Sequence, residues 1–89
     1  MTKKPDEFLY GVLERTLEHH ASSDMLESLR KHEDLTFDSL ELSSLHIAEV
    51  LIELEDDLGV GIEEAEFDNI TKISDLVSLI ESRMPSVSN

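Results

Sequence analysis

The sequence predicts an all-α fold, a four-helix bundle with three main helices and one short helix. Apolar residues recur every three or four positions in several separate stretches, which is the spacing of one buried helix face. No stretch alternates apolar and polar residues as a half-buried strand would. The 89 residues suffice for one hydrophobic core but not for two. We therefore expect a single domain over residues 1–89.

The first helix is predicted from about residue 5 to about residue 20. Proline suits the first turn of a helix, and the acids after Pro5 favour the positive end of the helix dipole. The inward stripe is expected to contain Phe8, Leu9, Val12, Leu13 and Leu17. Residues 21–42 are then predicted to form a long ordered loop. Within it a short helical turn is possible around Met25, Leu26 and Leu29, with Asp24 and Glu27 as its capping pair.

The clearest predicted helix runs from about residue 44 to about residue 58. Ser43 is placed to cap it, because a serine hydroxyl accepts a hydrogen bond from a free amide of the first turn. Gly59 and Gly61 are expected to end the helix and allow the turn that follows. One stripe at helical spacing should be buried: Ile47, Val50, Leu51, Leu54 and Leu58.

Two further helices are predicted in the last third of the chain. A short helix over about 63–69 should contribute Ala65 and Phe67 to the core. A longer helix over about 72–83 should begin at a Thr71 cap and stop before Pro85, leaving a tail at 84–89. Its inward stripe is expected to contain Ile73, Leu76, Val77 and Ile80.

The charge of the chain is strongly negative and unevenly distributed. Seven lysines and arginines stand against 21 acids, a formal charge of −14, and 13 of the acids lie between His32 and Thr71 with no lysine or arginine among them. Such a segment repels a phosphate backbone, so nucleic-acid binding is excluded. It is either a solvated face or a surface for a basic protein partner. The absence of cysteine favours a reducing cytoplasmic location, and no apolar run is long enough to span a membrane.

From Phe37 to Ile80 the chain resembles the acyl carrier protein family. That family has an aromatic residue, two further residues, and then Leu-Gly-x-Asp-Ser-Leu at the start of an acidic helix. Here those places hold Phe37-Asp38-Ser39-Leu40-Glu41-Leu42-Ser43-Ser44-Leu45. The later segments 55–62 and 70–73 follow at the spacing of the family. The resemblance implies a four-helix bundle of the acyl-carrier type.

The resemblance also implies a site and a cofactor. A phosphopantetheinyl transferase would move 4'-phosphopantetheine from coenzyme A onto Ser44, with Ser43 as the helix cap beside it. The thiol of that arm would hold acyl cargo as a thioester, so the chain is expected to be a carrier rather than an enzyme. The positive end of a helix dipole favours the phosphodiester.

Three positions near Ser44 need comment. Asp38-Ser39-Leu40 matches the Asp-Ser-Leu tripeptide of the family. If Ser39 were the modified residue, however, the later segments 55–62 and 70–73 would lie five residues further from it than the family spacing allows. Ser43 replaces the aspartate of the family and removes its charge, and Glu41 replaces a glycine. These departures indicate a specialised carrier rather than the housekeeping one.

The outer face of the helix after Ser44 is the predicted docking surface. It combines small apolar side chains with carboxylates that would attract acyl-loading and acyl-processing enzymes with basic patches. We expect the chain to be a monomer, and the surface to contain Leu45, His46, Ala48, Glu49, Ile52, Glu55 and Asp56.

The sequence leaves the cargo open, and it leaves a rival function. The cargo could be fatty acyl, polyketide-type acyl, aminoacyl or peptidyl, because partner enzymes choose it. The rival is an unmodified acidic helical adaptor, in which Ser44 only belongs to a helix start. A specific metal site is not expected, because the glycines do not fit an EF-hand loop and the four histidines lack ligand spacing. A catalytic Ser44–His46 pair would need an orienting group and an oxyanion site that so small a domain has no cavity to house.

Overall fold

The computed structural model describes residues 4–84, and it confirms the all-α fold. The described residues contain six helices: α1 (Pro5–Leu17), α2 (Ser23–Arg30), α3 (Phe37–Leu40), α4 (Ser44–Leu58), α5 (Glu64–Phe67) and α6 (Ile73–Arg83). The bounds of α4 coincide with the predicted 44–58, and Gly59 ends it with a left-handed φ of 71°. None of the helices within residues 4–84 is long and apolar enough to cross a membrane.

Two helices lie within the loop predicted over residues 21–42. The short turn expected as a possibility around Met25, Leu26 and Leu29 is present as α2, whereas α3 was not predicted. In α2 the capping residue is Ser22, whose hydroxyl accepts from the Met25 amide at 3.2 Å, rather than the predicted pair of Asp24 and Glu27. In α3 the cap is Thr36, whose hydroxyl accepts from the Ser39 amide at 3.3 Å. Ser22 and Thr36 therefore cap helices that are too short for their apolar residues to show a helical period.

The helices surround a core of apolar side chains, in which α1 packs against α2, α4 and α6. Burying a leucine or isoleucine contributes about 1.5–3 kcal/mol, so these contacts hold short helices that would not form alone. Phe37 and Phe67 meet edge to face at 4.9 Å and join α3 to α5. The largest fully buried side chains are Leu9, Leu13, Leu17, Leu29, Leu54, Ile73, Leu76 and Ile80.

Other predictions in the first and last thirds of the chain need correction. The first helix ends at Leu17 rather than at residue 20, and Ala65 is exposed rather than part of the core. The capping position of α6 is held by Lys72 rather than by Thr71. The Asp75 carboxylate accepts from the Thr71 amide at 3.3 Å and from the Lys72 amide at 3.0 Å. Pro85 and the rest of the predicted tail beyond Met84 lie outside the described residues.

Contacts with α6 fix the segment that precedes α4. The Phe37 amide donates to the Thr71 carbonyl, and the Ile73 amide donates to the Leu35 carbonyl, each at 2.9 Å. The Asp34 carboxylate accepts from the amide and the hydroxyl of Ser74, both at 2.9 Å. These hydrogen bonds hold the pKa of Asp34 below its ordinary value.

A second set of contacts joins α5 to the end of α6. The Arg83 guanidinium hydrogen bonds with the Glu66 carboxylate and donates to the Gly61 carbonyl at 3.1 Å. The hydrogen bond from Arg83, helped by that from the Glu63 amide, lowers the pKa of Glu66 to about 2. The turn between α4 and α5 is therefore held by a side chain of α6.

Candidate functional site

The start of α4 is closed by a reciprocal pair of hydrogen bonds. The Ser43 hydroxyl accepts from the His46 amide at 3.2 Å, which confirms the predicted cap. In return, Nδ1 of His46 accepts from the Ser43 amide at 3.3 Å. This is a capping box in which histidine takes the place usually held by glutamate or glutamine. It satisfies two amides that the helix itself leaves unpaired.

Ser44 is the first residue of α4, and its side chain is exposed. Within residues 4–84, no group hydrogen bonds with its hydroxyl. Because Ser43 supplies the cap, the Ser44 hydroxyl is left available at the positive end of the helix. This hydroxyl can be reached from solvent without unfolding the helix.

Ser39 lies in a different setting, although it has the same leucine neighbour in sequence. Its hydroxyl donates to the Thr36 carbonyl at 2.7 Å, and its amide donates to the Thr36 hydroxyl. An acceptor would have to be given up before Ser39 could react. The local geometry therefore leaves the Ser44 hydroxyl, and not the Ser39 hydroxyl, without a hydrogen bond among the described residues.

Glu41 forms the turn between α3 and α4 in a left-handed conformation. Its φ of 52° and ψ of 47° lie in the region that favours glycine. This is the position at which the acyl carrier pattern has glycine, so the chain keeps the backbone geometry and accepts the strain of a side chain. The turn separates buried Leu40 from exposed Ser44 and directs α4 away from α3.

The predicted docking residues lie along α4 with different exposures. Leu45 is 67% exposed and Ile52 is 56% exposed, and they are the two large apolar side chains that stand out into solvent among the described residues. Three acids beside them are fully at the surface: Glu49, Glu55 and Asp56. His46 and Ala48 are half-buried.

One charged contact beside this face was not predicted. The Arg15 guanidinium of α1 donates to the Glu53 carboxylate of α4 at 2.6 Å. The pair borders a shallow groove that also reaches Thr16, Glu49 and Ile52. The two residues are 38 positions apart, and a single sequence offers no signal for such a pairing. The acidic face is therefore bounded by a positive charge on α1.

Two clefts lie on the sides of α4. One, of about 240 Å³, is lined by both apolar and acidic side chains: Phe37, Asp38, Glu41, Leu42, Ile47, Phe67, Asp68 and Ile70. The other, of about 360 Å³, lies between α4 and α5 and includes Ala48, Leu51, Ile52, Glu55 and Ile62. The first cleft begins at the turn that leads to Ser44.

The histidines form ring contacts rather than a ligand cluster. His20 lies with its ring centroid 5.0 Å from that of His46, and His32 stacks on Tyr10 at 4.4 Å. Burial, and then the charges of Asp34 and Asp6, raise the pKa of the Tyr10 hydroxyl. Within residues 4–84, no group of three or more histidine, aspartate and glutamate side chains could hold a metal ion.

Comparison with known proteins gives one match. The family described as "Phosphopantetheine attachment site" matches residues 24–80, which include all of α2 but its first residue, the whole of α3 to α5 and most of α6. No curated protein and no solved structure matches the chain. The free hydroxyl at the start of α4 falls inside the matched region, and so do the turn at Glu41 and the exposed face of α4.

Proposed function

The chain belongs to the family that carries phosphopantetheine attachment sites, and from this premise we propose that Ser44 is the attachment residue. Members of the family bear covalent 4'-phosphopantetheine and act as carriers rather than as catalysts. The observation that supports Ser44 is its exposed hydroxyl, which has no partner within residues 4–84, on the first residue of a helix capped by its neighbour.

The proposed attachment is a phosphoryl transfer in which Ser44 is the nucleophile. Its hydroxyl oxygen attacks the β-phosphorus of coenzyme A, the bond to 3',5'-ADP breaks, and the transferase takes up the hydroxyl proton. The amides and the dipole at the start of α4 favour the negative charge of the phosphodiester. When bound, the group supplies a thiol that holds cargo as a thioester. This chain supplies the oxygen, its orientation and the surface that partners recognise.

The cargo that we propose is an acyl group of a fatty-acid pathway or of a specialised polyketide-type pathway in the cytoplasm. A cleft of about 240 Å³ beside the attachment helix, lined in part by Phe37, Leu42 and Ile47, supports this choice, since hydrocarbon is stabilised by leaving water. Aminoacyl or peptidyl cargo is the alternative. The carboxylates of Asp38, Glu41 and Asp68 in the same lining would favour a cargo with an ammonium group.

The proposed docking surface is the outer face of α4. Leu45 and Ile52 supply apolar contact, and the neighbouring acids supply long-range attraction to basic partners. The partners are the phosphopantetheinyl transferase and the enzymes that load and process the cargo. The Arg15–Glu53 pair at the edge of this face fixes one of its carboxylates in place.

Incubation with coenzyme A and a broad-specificity phosphopantetheinyl transferase tests the function. We expect the intact mass to rise by one phosphopantetheinyl group. If no transferase modifies the folded protein, the unmodified adaptor becomes the better account. An apolar surface with an acidic rim would then be its binding site.

Charge reversal tests the docking surface. Glu49→Lys and Asp56→Lys should slow modification by the transferase, mostly through the association rate, and the difference from wild type should shrink at high salt. Glu81→Lys is the matched control, because it makes the same charge change at an exposed position of α6. Equal rates for the α4 variants and the control would exclude this face as the recognition surface.

A further inference from the structure

Two histidines from different helices meet at the start of α4. His46 lies in the first turn, and Nδ1 of its ring accepts a hydrogen bond from the Ser43 amide at 3.3 Å. His20 follows the end of α1, and the centroids of the two rings are 5.0 Å apart at an angle of 50°. The carrier function requires no histidine here, so this pair calls for its own explanation.

The capping box depends on the protonation state of His46. A neutral imidazole can accept at Nδ1, whereas an imidazolium donates from both nitrogens and has no acceptor. The Ser43 amide would then lose its partner, and two positive rings 5.0 Å apart would repel one another. Histidine is the side chain that ordinarily changes charge between pH 5 and 8.

We propose that His20 and His46 form a protonation-dependent latch on the first turn of α4. When His46 is neutral, the latch is closed and the Ser43–His46 capping box orders the turn. When His46 is protonated, the Ser43 amide is released to water and the turn loosens. The cap from the Ser43 hydroxyl to the His46 amide is then left to hold the turn alone.

Other titratable residues belong to the elements around the latch. Glu49 lies one turn further along α4, and Glu41 lines the same groove as His20. His19 is the neighbour of His20 in sequence.

The latch bears on Ser44, a consequence that rests on the proposed function. Ser44 lies between the two residues of the capping box, so an open latch would present its hydroxyl on a looser turn. The latch itself can be measured in the protein without its prosthetic group. Its failure and a failure of the attachment proposal are therefore separate results.

Amide solvent exchange measured by NMR between pH 8 and pH 5 tests the latch. Dividing each rate by the intrinsic rate at that pH gives a protection factor. We expect the factor of the Ser43 amide to fall about fivefold, as for loss of one net hydrogen bond, in parallel with the titration of the His46 ring signals. His46→Gln should remove this pH dependence, because glutamine completes a capping box without titrating.

Two further variants complete the experiment. His20→Gln should change the pH at which the latch opens, because it removes the titratable ring that contacts His46. His19→Gln is the matched control and should leave the pH dependence of the Ser43 amide unchanged. The proposal is overturned if Ser43 protection is constant from pH 8 to pH 5, if His46→Gln keeps the wild-type pH dependence, or if His20→Gln causes no shift.

Discussion

Two of the Ser-Leu pairs in the chain, Ser39-Leu40 and Ser44-Leu45, lie five residues apart and have opposite environments. The Ser39 hydroxyl donates to the Thr36 carbonyl, and Leu40 is 5% exposed in the core. The Ser44 hydroxyl has no partner within residues 4–84, and Leu45 is 67% exposed. The same two residue types are part of the folded framework in one place and are exposed at the surface in the other.

The difference comes from the position of each pair in its helix. Ser39 is the third residue of α3, so the carbonyl of the capping residue lies within reach of its hydroxyl. Ser44 is the first residue of α4, and the capping role is already taken by Ser43. The left-handed turn at Glu41 separates the two pairs and reverses their exposure. A tripeptide match alone would therefore have selected the serine whose hydroxyl is hydrogen bonded.

The largest expected contrast is in stability. Leu40→Ala should lower the free energy of unfolding by about 2–5 kcal/mol, because it leaves a cavity in the core. Leu45→Ala should change it by less than about 0.5 kcal/mol, because the side chain is mostly in water. Urea denaturation of both variants measures the difference. A large loss for Leu45→Ala would mean that this leucine packs against the protein in solution.

Replacement of the neighbouring serines should separate the cap from the reactive residue. Ser43→Ala should destabilise the protein by about 1 kcal/mol, since the His46 amide loses its acceptor. Ser44→Ala should leave the free energy of unfolding within about 0.5 kcal/mol of wild type, because its hydroxyl holds nothing in place. Thermal and urea unfolding give both values. Equal destabilisation by the two variants would contradict the division of roles between them.

A smaller change in the free energy of unfolding, with the opposite sign, is expected at Glu41, in the turn between the two Ser-Leu pairs. Glu41→Gly should stabilise the protein by up to about 1 kcal/mol, because glycine adopts the left-handed conformation without strain. Glu41→Ala is the matched control, since it removes the same charge but keeps a side chain at positive φ. If the two variants have the same stability, removal of the charge and not relief of strain accounts for the change.

Acid should loosen the segment before α4 and the first turn of α4 at different pH values. The pKa of Asp34 is lowered in the folded protein by its hydrogen bonds from Ser74. Its contribution is therefore fully present above the ordinary value of 3.8 and is lost as the pH falls through the lower folded value. The Ser74 amide resonance should shift only below pH 3.8, and Asp34→Asn should abolish that shift. A midpoint at or above the ordinary value would contradict the contact.

The start of α4, by contrast, should respond through the Ser43–His46 capping box, over the range in which histidine side chains ordinarily change charge. The same titration followed at the Ser43 amide therefore gives an internal comparison within one sample. If both amides moved together, the segment before α4 and the first turn of α4 would be one cooperative unit and not two.

Local sequence signals predicted much of α4 and its surroundings. Five apolar residues at helical spacing, a serine before them and a glycine after them define its bounds. They also indicated that Leu45 and Ile52 lie off the buried stripe. These features depend on neighbours within two turns of one helix, which is the range over which sequence patterns are informative.

The features that were missed depend on short or distant contacts. The eight residues of α2 and the four of α3 are too few for a clear period, and packing against α1 and α5 stabilises them. The sequence pattern predicts Ala65 in the core because alanine is apolar. In so short a helix, however, only Phe67 reaches the core. Histidine is an unusual capping-box partner, and its ring contact with His20 joins residues 26 positions apart in sequence.

The central claim is that Ser44, and not the similar Ser39, carries the prosthetic group. Its most direct test is the intact mass of wild type, Ser39→Ala and Ser44→Ala after incubation with coenzyme A and a phosphopantetheinyl transferase. We predict the gain of one phosphopantetheinyl group in wild type and in Ser39→Ala, and no gain in a folded Ser44→Ala protein. A gain in Ser44→Ala together with its loss in Ser39→Ala would contradict the claim and assign the arm to the other serine.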